Sequence, residues 1–133
     1  MVLQEDALFP WLSGRGNIDR FLSLNSPLDE HPLFPVVAAF IDRPCYQMSY
    51  GQRRSVELFR AMLSPPDALL LDEPFNYLDD AKTAAFIEHL LSSAWANVLI
   101  VITSHRHDSS LDNASDVFLF EGDPPFANLT HVR

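Results

Sequence analysis

A chain of 133 residues that is 47% hydrophobic and 20% charged has the makeup of one globular domain or a large piece of one, which excludes disorder throughout. Its formal net charge of -9, from 18 acidic against 9 basic residues, repels a phosphate backbone and disfavours nonspecific nucleic-acid binding. Apolar runs such as residues 98–102 are far too short to span a bilayer, and residues 1–6 carry neither the basic segment nor the apolar stretch of a signal peptide, so a cytoplasmic protein is expected.

In chain order, residues 1–3 read as a strand leading to Gln4, followed by the aromatic loop Phe9-Pro10-Trp11-Leu12. Asn17 is expected to cap a short helix with Ile18, Phe21 and Leu22 on one face, ending before Ser26-Pro27. A second helix is expected over residues 35–41, stopped by Asp42-Arg43-Pro44, because the residue before proline resists helical geometry. Together these form a small helical lobe. The lone Cys45 excludes an intrachain disulfide and reads as a small apolar filler. Ser49 is a good N-cap for a helix running to about Leu63, with Gln52, Val56, Phe59 and Leu63 along one side. Residues 68–71 are short and continuously apolar, which suits a strand covered on both faces of a parallel sheet, and Asp72-Glu73-Pro74 terminates it. A helix over residues 80–92 should turn Ala84, Ile87, Leu90 and Leu91 inward, and residues 98–102 and 116–120 should supply two more strands. That alternation is the doubly wound α/β plan, in which ligands bind at the carboxyl ends of the strands.

The residues suited to chemistry gather at those ends. A buried strand delivering Asp72 and Glu73 to its edge offers one carboxylate for Mg2+ and one to orient or deprotonate a water, although the pair could equally cap a loop. Ser49-Tyr50-Gly51-Gln52 opens a helix, where a hydroxyl and free backbone amides suit an anion or simply cap the helix. His105 follows the next strand, placed to donate to a phosphate oxygen or to serve the fold. His105 and His107 lack a third ligand nearby, so a metal site there is disfavoured.

Taken in order, these pieces resemble the ATP-binding domain of ABC transporters. Gln4 with Phe9-Pro10-Trp11-Leu12 is similar to the Q-loop, and Met48-Ser49-Tyr50-Gly51-Gln52-Arg53-Arg54 to the ABC signature. The stretch Ala68-Leu69-Leu70-Leu71-Asp72-Glu73-Pro74 resembles Walker B with its catalytic glutamate. Asn76-Tyr77-Leu78-Asp79 resembles the D-loop, and Ile102-Thr103-Ser104-His105 the switch histidine. The resemblance implies a partial P-loop NTPase domain of ABC type, with a mainly parallel sheet flanked by helices and a small helical subdomain. Residues 1–12 would be the Q-loop strand and loop, 13–47 the helical subdomain, and 48–133 the signature helix with the rest of the core. It further implies that Asp72 and Gln4 attend Mg2+, that Glu73 is the general base, and that His105 contacts the γ-phosphate. Ser49, Gly51 and Gln52 would meet ATP held by the opposite subunit of a head-to-tail dimer, with Asp79 along the seam. The aromatic loop after Gln4 would meet the membrane permease, which places the protein on the inner face of the membrane.

Two departures qualify that picture. The phosphate loop of such domains needs a glycine-rich turn followed by Gly-Lys-Ser/Thr, yet the chain has four glycines against ten prolines and Lys82, its lone lysine, follows Ala81. The family places that loop upstream of the Q-loop, so a truncated sequence, a misplaced start and a split subunit are all open. Tyr50 stands where the family most often has glycine. An importer subunit unable to hydrolyse ATP alone is therefore expected, with strand edges exposed for self-association. The alternative is a noncatalytic subunit lending its signature helix to a complete ATPase. An ABC-type DNA-maintenance ATPase is opposed by the acidic balance and the absence of coiled-coil arms.

Overall fold

The computed structural model describes residues 2, 7–22, 27–104, 116, 118–121 and 128–131. The amino-terminal part is a small helical lobe. Its first helix, α1 (Gly14–Asp19), is capped by Ser13, whose hydroxyl accepts from the Gly16 amide at 3.0 Å. Asn17, the expected cap, lies inside the helix and is buried. An amide side chain withdrawn from water must find partners, and Asn17 finds them across the lobe. Its Oδ1 accepts from the Phe9 amide at 2.7 Å, and its Nδ2 donates to the Phe9 and Ser13 carbonyls at 3.1 and 3.0 Å. Helix α2 is a single turn, Phe34–Val37, shorter than expected, and its chain continues through turns to Ile41.

Helix α3 (Tyr50–Ala61) starts where the Ser49 cap predicts. Its buried surface is broader than one stripe, because Arg54, Ser55, Val56, Glu57, Leu58 and Phe59 are all enclosed, while Gln52 and Leu63 are half-buried. Strand β1 (Ala68–Asp72) follows, then helix α4 (Asp80–Leu90) and strand β2 (Leu99–Thr103). Helix α4 turns Phe86 and Leu90 inward; Ile87 is partly buried, whereas Ala84 and Leu91 face out, contrary to the expected face. The two strands are parallel, with Ala68 opposite Leu99 and Asp72 opposite Thr103. On its other side β1 meets Val2, which donates to the Leu70 carbonyl at 2.9 Å and accepts from the Asp72 amide at 3.0 Å.

Only one face of this sheet is covered among the described residues. Leu69 and Leu71 are buried, but Leu70, Leu99 and Val101 are 45%, 63% and 44% exposed on the opposite face. The continuous apolar run therefore does not reflect two covered faces here. The strand expected at 116–120 begins at Phe118 instead, and β3 (Phe118–Glu121) pairs antiparallel with β4 (Asn128–His131) in a separate sheet. Period and composition do not encode which strand a strand will pair with. No helix among the described residues is long and apolar enough to cross a membrane.

One apolar cluster joins the helical lobe to the sheet: Ile18, Val37, Ile41, Val56 and Phe59 on one side, Leu69, Leu71, Phe86 and Trp95 on the other. Two histidines sit in this junction. His31 packs 5.1 Å from His89 and 5.3 Å from Phe59, ring centre to ring centre, and His89 packs 5.8 Å from Trp95. Burial, and then the charge of His89, hold His31 below the ordinary histidine value, against the opposing pull of the Met62 carbonyl. Burial lowers His89 likewise. A depressed native value means that the unfolded chain binds more protons as pH falls through about 6.5, so this contribution to stability is present above that pH and lost below it. Urea midpoints measured between pH 7 and pH 5 should therefore decline with acid, and His89→Phe, which keeps a ring in place, should flatten the slope. An unchanged slope in that variant would show that the histidine pair is not the cause.

Candidate functional site

The carboxyl end of β1 carries the candidate catalytic pair. Asp72 is the last strand residue, and its Oδ1 accepts from the Thr103 hydroxyl across the ladder. Glu73 leaves the strand in the left-handed region, at φ 45°, an unusual conformation for a residue with a side chain, and its residue is buried. Its amide donates to the Thr103 carbonyl and hydroxyl, both at 3.2 Å. Thr103 thus fixes both acids through its backbone and its hydroxyl. Sequence reading assigned it no role, although its place at the end of the next apolar run, opposite Asp72, was the available signal.

The turn from Glu73 to Leu78 closes on itself through Asn76 N donating to the Glu73 carbonyl at 3.3 Å and Leu78 N to the Phe75 carbonyl at 3.2 Å. Tyr77 is also left-handed, at φ 67°. What holds two such residues in place comes from helix α3. Arg54 is buried, and its guanidinium donates from Nη2 to the carbonyls of Asp72 and Glu73, at 2.6 and 2.9 Å, and from Nε to that of Pro74 at 3.1 Å. Nη1 donates to Glu57 Oε2 at 3.3 Å, an ion pair one helical turn away that is buried with it. Arg54 was read only as part of the signature stretch; its burial follows from long-range packing that spacing does not reveal.

The opening turn of α3 is engaged by its own cap. Ser49 Oγ accepts from the Gln52 amide at 3.2 Å, and Gln52 Oε1 accepts from the Ser49 amide at 2.9 Å, which closes a reciprocal capping box. Gly51 faces the turn after β1, where an added Cβ would lie 2.4 Å from the Tyr77 carbonyl oxygen. The glycine is required by backbone approach within the chain. Tyr50 meets Tyr77 edge-on at 4.5 Å, with the Arg53 guanidinium 5.4 Å from the Tyr50 ring centre, so the bulk at position 50 packs against the turn. Asp79 caps α4: its Oδ1 accepts from the Lys82 amide at 2.9 Å, and its other oxygen pairs with the Lys82 ammonium. That side-chain bond, then the backbone one, holds the Asp79 carboxyl below its ordinary value. The structure therefore brings the Ser49 helix, the Asp72-Glu73 pair and the segment leading to Asp79 around one turn. Gln4 and His105 lie outside the described residues.

A family model described as ABC transporter matches residues 1–76, more than half of the chain, and the chain belongs to that family. Among its relatives, the taurine import ATP-binding protein TauB of Pseudomonas aeruginosa is 33% identical over 93% of this chain and 51% of its own length. The aliphatic sulfonates import ATP-binding protein SsuB of Bacillus subtilis is 31% identical over 92% of this chain and 51% of its own. The cytochrome c biogenesis ATP-binding export protein CcmA of Pseudomonas fluorescens is 34% identical over 71% and 47%. The chain spans about half the length of these relatives. Among solved structures, the ADP conformation of MJ1267, an ATP-binding cassette of an ABC transporter, is 21% identical with a TM-score of 0.47, covering 74% of this chain and 41% of that one.

Gly51→Ala should displace the Tyr77 turn and cost about 1–3 kcal/mol, the range for forcing extra volume into a packed contact. Urea unfolding of the variant checks this, and an unchanged midpoint would mean that the turn yields freely.

Proposed function

We propose that the chain is the signature and Walker B part of the ATP-binding subunit of an ABC importer, acting on ATP and Mg2+ when a phosphate loop is supplied. The observation that supports this most directly is the single turn on which Ser49, Asp72, Glu73 and Asp79 converge, locked by Arg54 and Gly51. The import relatives match over 92–93% of the chain and the export relatives over 71–79%, which favours the import reading.

The donor set fits a hard cation, because Asp72 is a carboxylate at a strand end and Thr103 engages only its Oδ1, which leaves Oδ2 for a water of the Mg2+ shell. When bound, that ion would neutralise charge on the phosphates. Glu73 would accept the proton of the attacking water, and its burial keeps bulk solvent from competing for the carboxylate. Gln4 would sense the metal and attacking water, and His105 would hold the γ-phosphate. Ser49, Gly51 and Gln52 would face ATP held by a second nucleotide-binding domain in a head-to-tail dimer, with Asp79 along the seam. The permease would dock on the aromatic patch of the helical lobe, where Trp11, Tyr46 and Phe21 are 68%, 65% and 59% exposed. Backbone bonds from Tyr46 N to Pro10 and from Cys45 N to Leu12, each 2.9 Å, fix that loop. The protein would then sit on the cytoplasmic face of the membrane.

Nothing in these 133 residues supplies the Gly-Lys-Ser/Thr element, and the Lys82 ammonium is paired with Asp79. The purified chain should therefore show no ATP hydrolysis above background; turnover that vanishes in Glu73→Gln would overturn this. The exposed opening turn of α3 also favours a second reading, in which the chain lends its signature helix to a complete ATPase. Mixing it with a partner that bears a phosphate loop should then raise ATP turnover, and no gain rejects that reading.

The uncovered face of Leu70, Leu99 and Val101 should drive self-association of the isolated chain. Light scattering across a dilution series should show mass rising with concentration; a monomer throughout counts against it.

A further inference from the structure

Glu57 bonds in two directions. Its Oε2 pairs with Arg54, and its Oε1 accepts from the Ala7 amide at 2.5 Å. Ala7 opens the segment that runs through Phe9 and Pro10 to the exposed Trp11, and Arg54 grips the three carbonyls of the Asp72-Glu73-Pro74 turn. Two side chains on one buried face of α3 therefore connect the backbone of the aromatic loop to the backbone of the candidate catalytic turn.

We propose that Arg54 and Glu57 are positioning residues that link the backbone at Ala7 to the Glu73 turn, so that displacement of the 7–12 segment alters how firmly Glu73 is held. The inference rests on the reading of Glu73 as general base. Three features carry it. A guanidinium presents donors in a fixed planar fork, so a shift of its partner carboxylate turns the whole group and not one bond. The gripped turn contains a left-handed glutamate, a conformation that persists only where its surroundings over-determine it. The pair is enclosed, Arg54 and Glu57 each being 2% exposed, so water cannot replace a lost partner without opening the packing.

The test is amide hydrogen exchange on the full chain, comparing the wild type with Arg54→Lys, Glu57→Gln and the double variant. Lysine offers donors from one nitrogen and cannot span three carbonyls and a carboxylate. Glutamine keeps an acceptor for Ala7 but removes the charge that orients Arg54. Each single change should speed exchange at Ala7, Glu73 and Asn76 together by about tenfold, while the β1–β2 ladder amides, such as Val101, stay near wild type. The double variant should add little to either single one, as expected for groups acting as a unit. Faster exchange at the turn with Ala7 unmoved, or acceleration of every amide alike, would overturn the link. Should Arg54→Lys not fold, Glu57→Gln alone decides between the same outcomes. The base reading is tested apart from this, by Glu73→Gln in an assembly that turns over ATP; retained turnover there would sink that role and leave the exchange result standing.

Discussion

The buried guanidinium of Arg54 is the contact on which the site depends. Taking such a cation out of water carries a penalty of several kcal/mol, recovered only if its donors are satisfied in good geometry. Here they meet the carbonyls of Asp72, Glu73 and Pro74 and the carboxylate of Glu57. Asp72 ends the strand, and beyond it the Glu73 carbonyl also accepts from the Asn76 amide, so the guanidinium adds to the bonding that the turn makes by itself. The arrangement answers two needs at once. It gives the charge partners, and it gives a left-handed turn the external bonds that keep it from relaxing. The close approach of Gly51 to Tyr77 follows, since α3 is drawn against the turn by the same bonds.

The sheet tells the complementary story. Its inner face is closed by the core, and the polar ends of both strands are tied by Thr103, yet its outer face presents Leu70, Leu99 and Val101. An apolar face of that kind is stable against water only when something covers it. The relatives are about twice as long as this chain, so there is polypeptide in them for which this chain has no counterpart. The chemistry divides in the same way. The Asp72-Glu73 pair and helix α3 are present and held, whereas no Gly-Lys-Ser/Thr sequence is among these residues.

Much of this was legible in the sequence where the governing physics is local. Ser49 announces a capped helix, and α3 starts there, with Gln52, expected along the packed side, closing a reciprocal box. The apolar run ending in Asp72 announces a strand, and the order of five motifs announces the family. Illegible were the features decided by long-range partners. Asn17 reads as a cap because its side chain favours caps, but a buried site offering Phe9 and Ser13 outweighs that preference. Arg54 reads only as part of the signature stretch and Glu57 carries no signal of its own, and only the turn beyond β1 and the Ala7 amide explain their burial. The pairing of β3 with β4 depends on a strand that carried no periodic signal of its own.

The capping box bears on how the phosphate contact proposed for the opening of α3 would be made. Ser49 and Gln52 spend their side chains on each other's backbone, so neither reaches outward as long as the box is closed. Breaking an N-cap forfeits about 0.5–2 kcal/mol. A hydrogen bond to a charged group returns about 1.5–3 kcal/mol, and an anion at a helix N-terminus favours the same amides that the cap had served. The exchange of cap for anion would therefore be close to balanced, so the proposed phosphate contact would not require α3 to unfold. Tyr50 does not obstruct this on packing grounds, since its ring already rests against Tyr77. One turn further along the same helix, Arg54 holds the carbonyls of Asp72, Glu73 and Pro74.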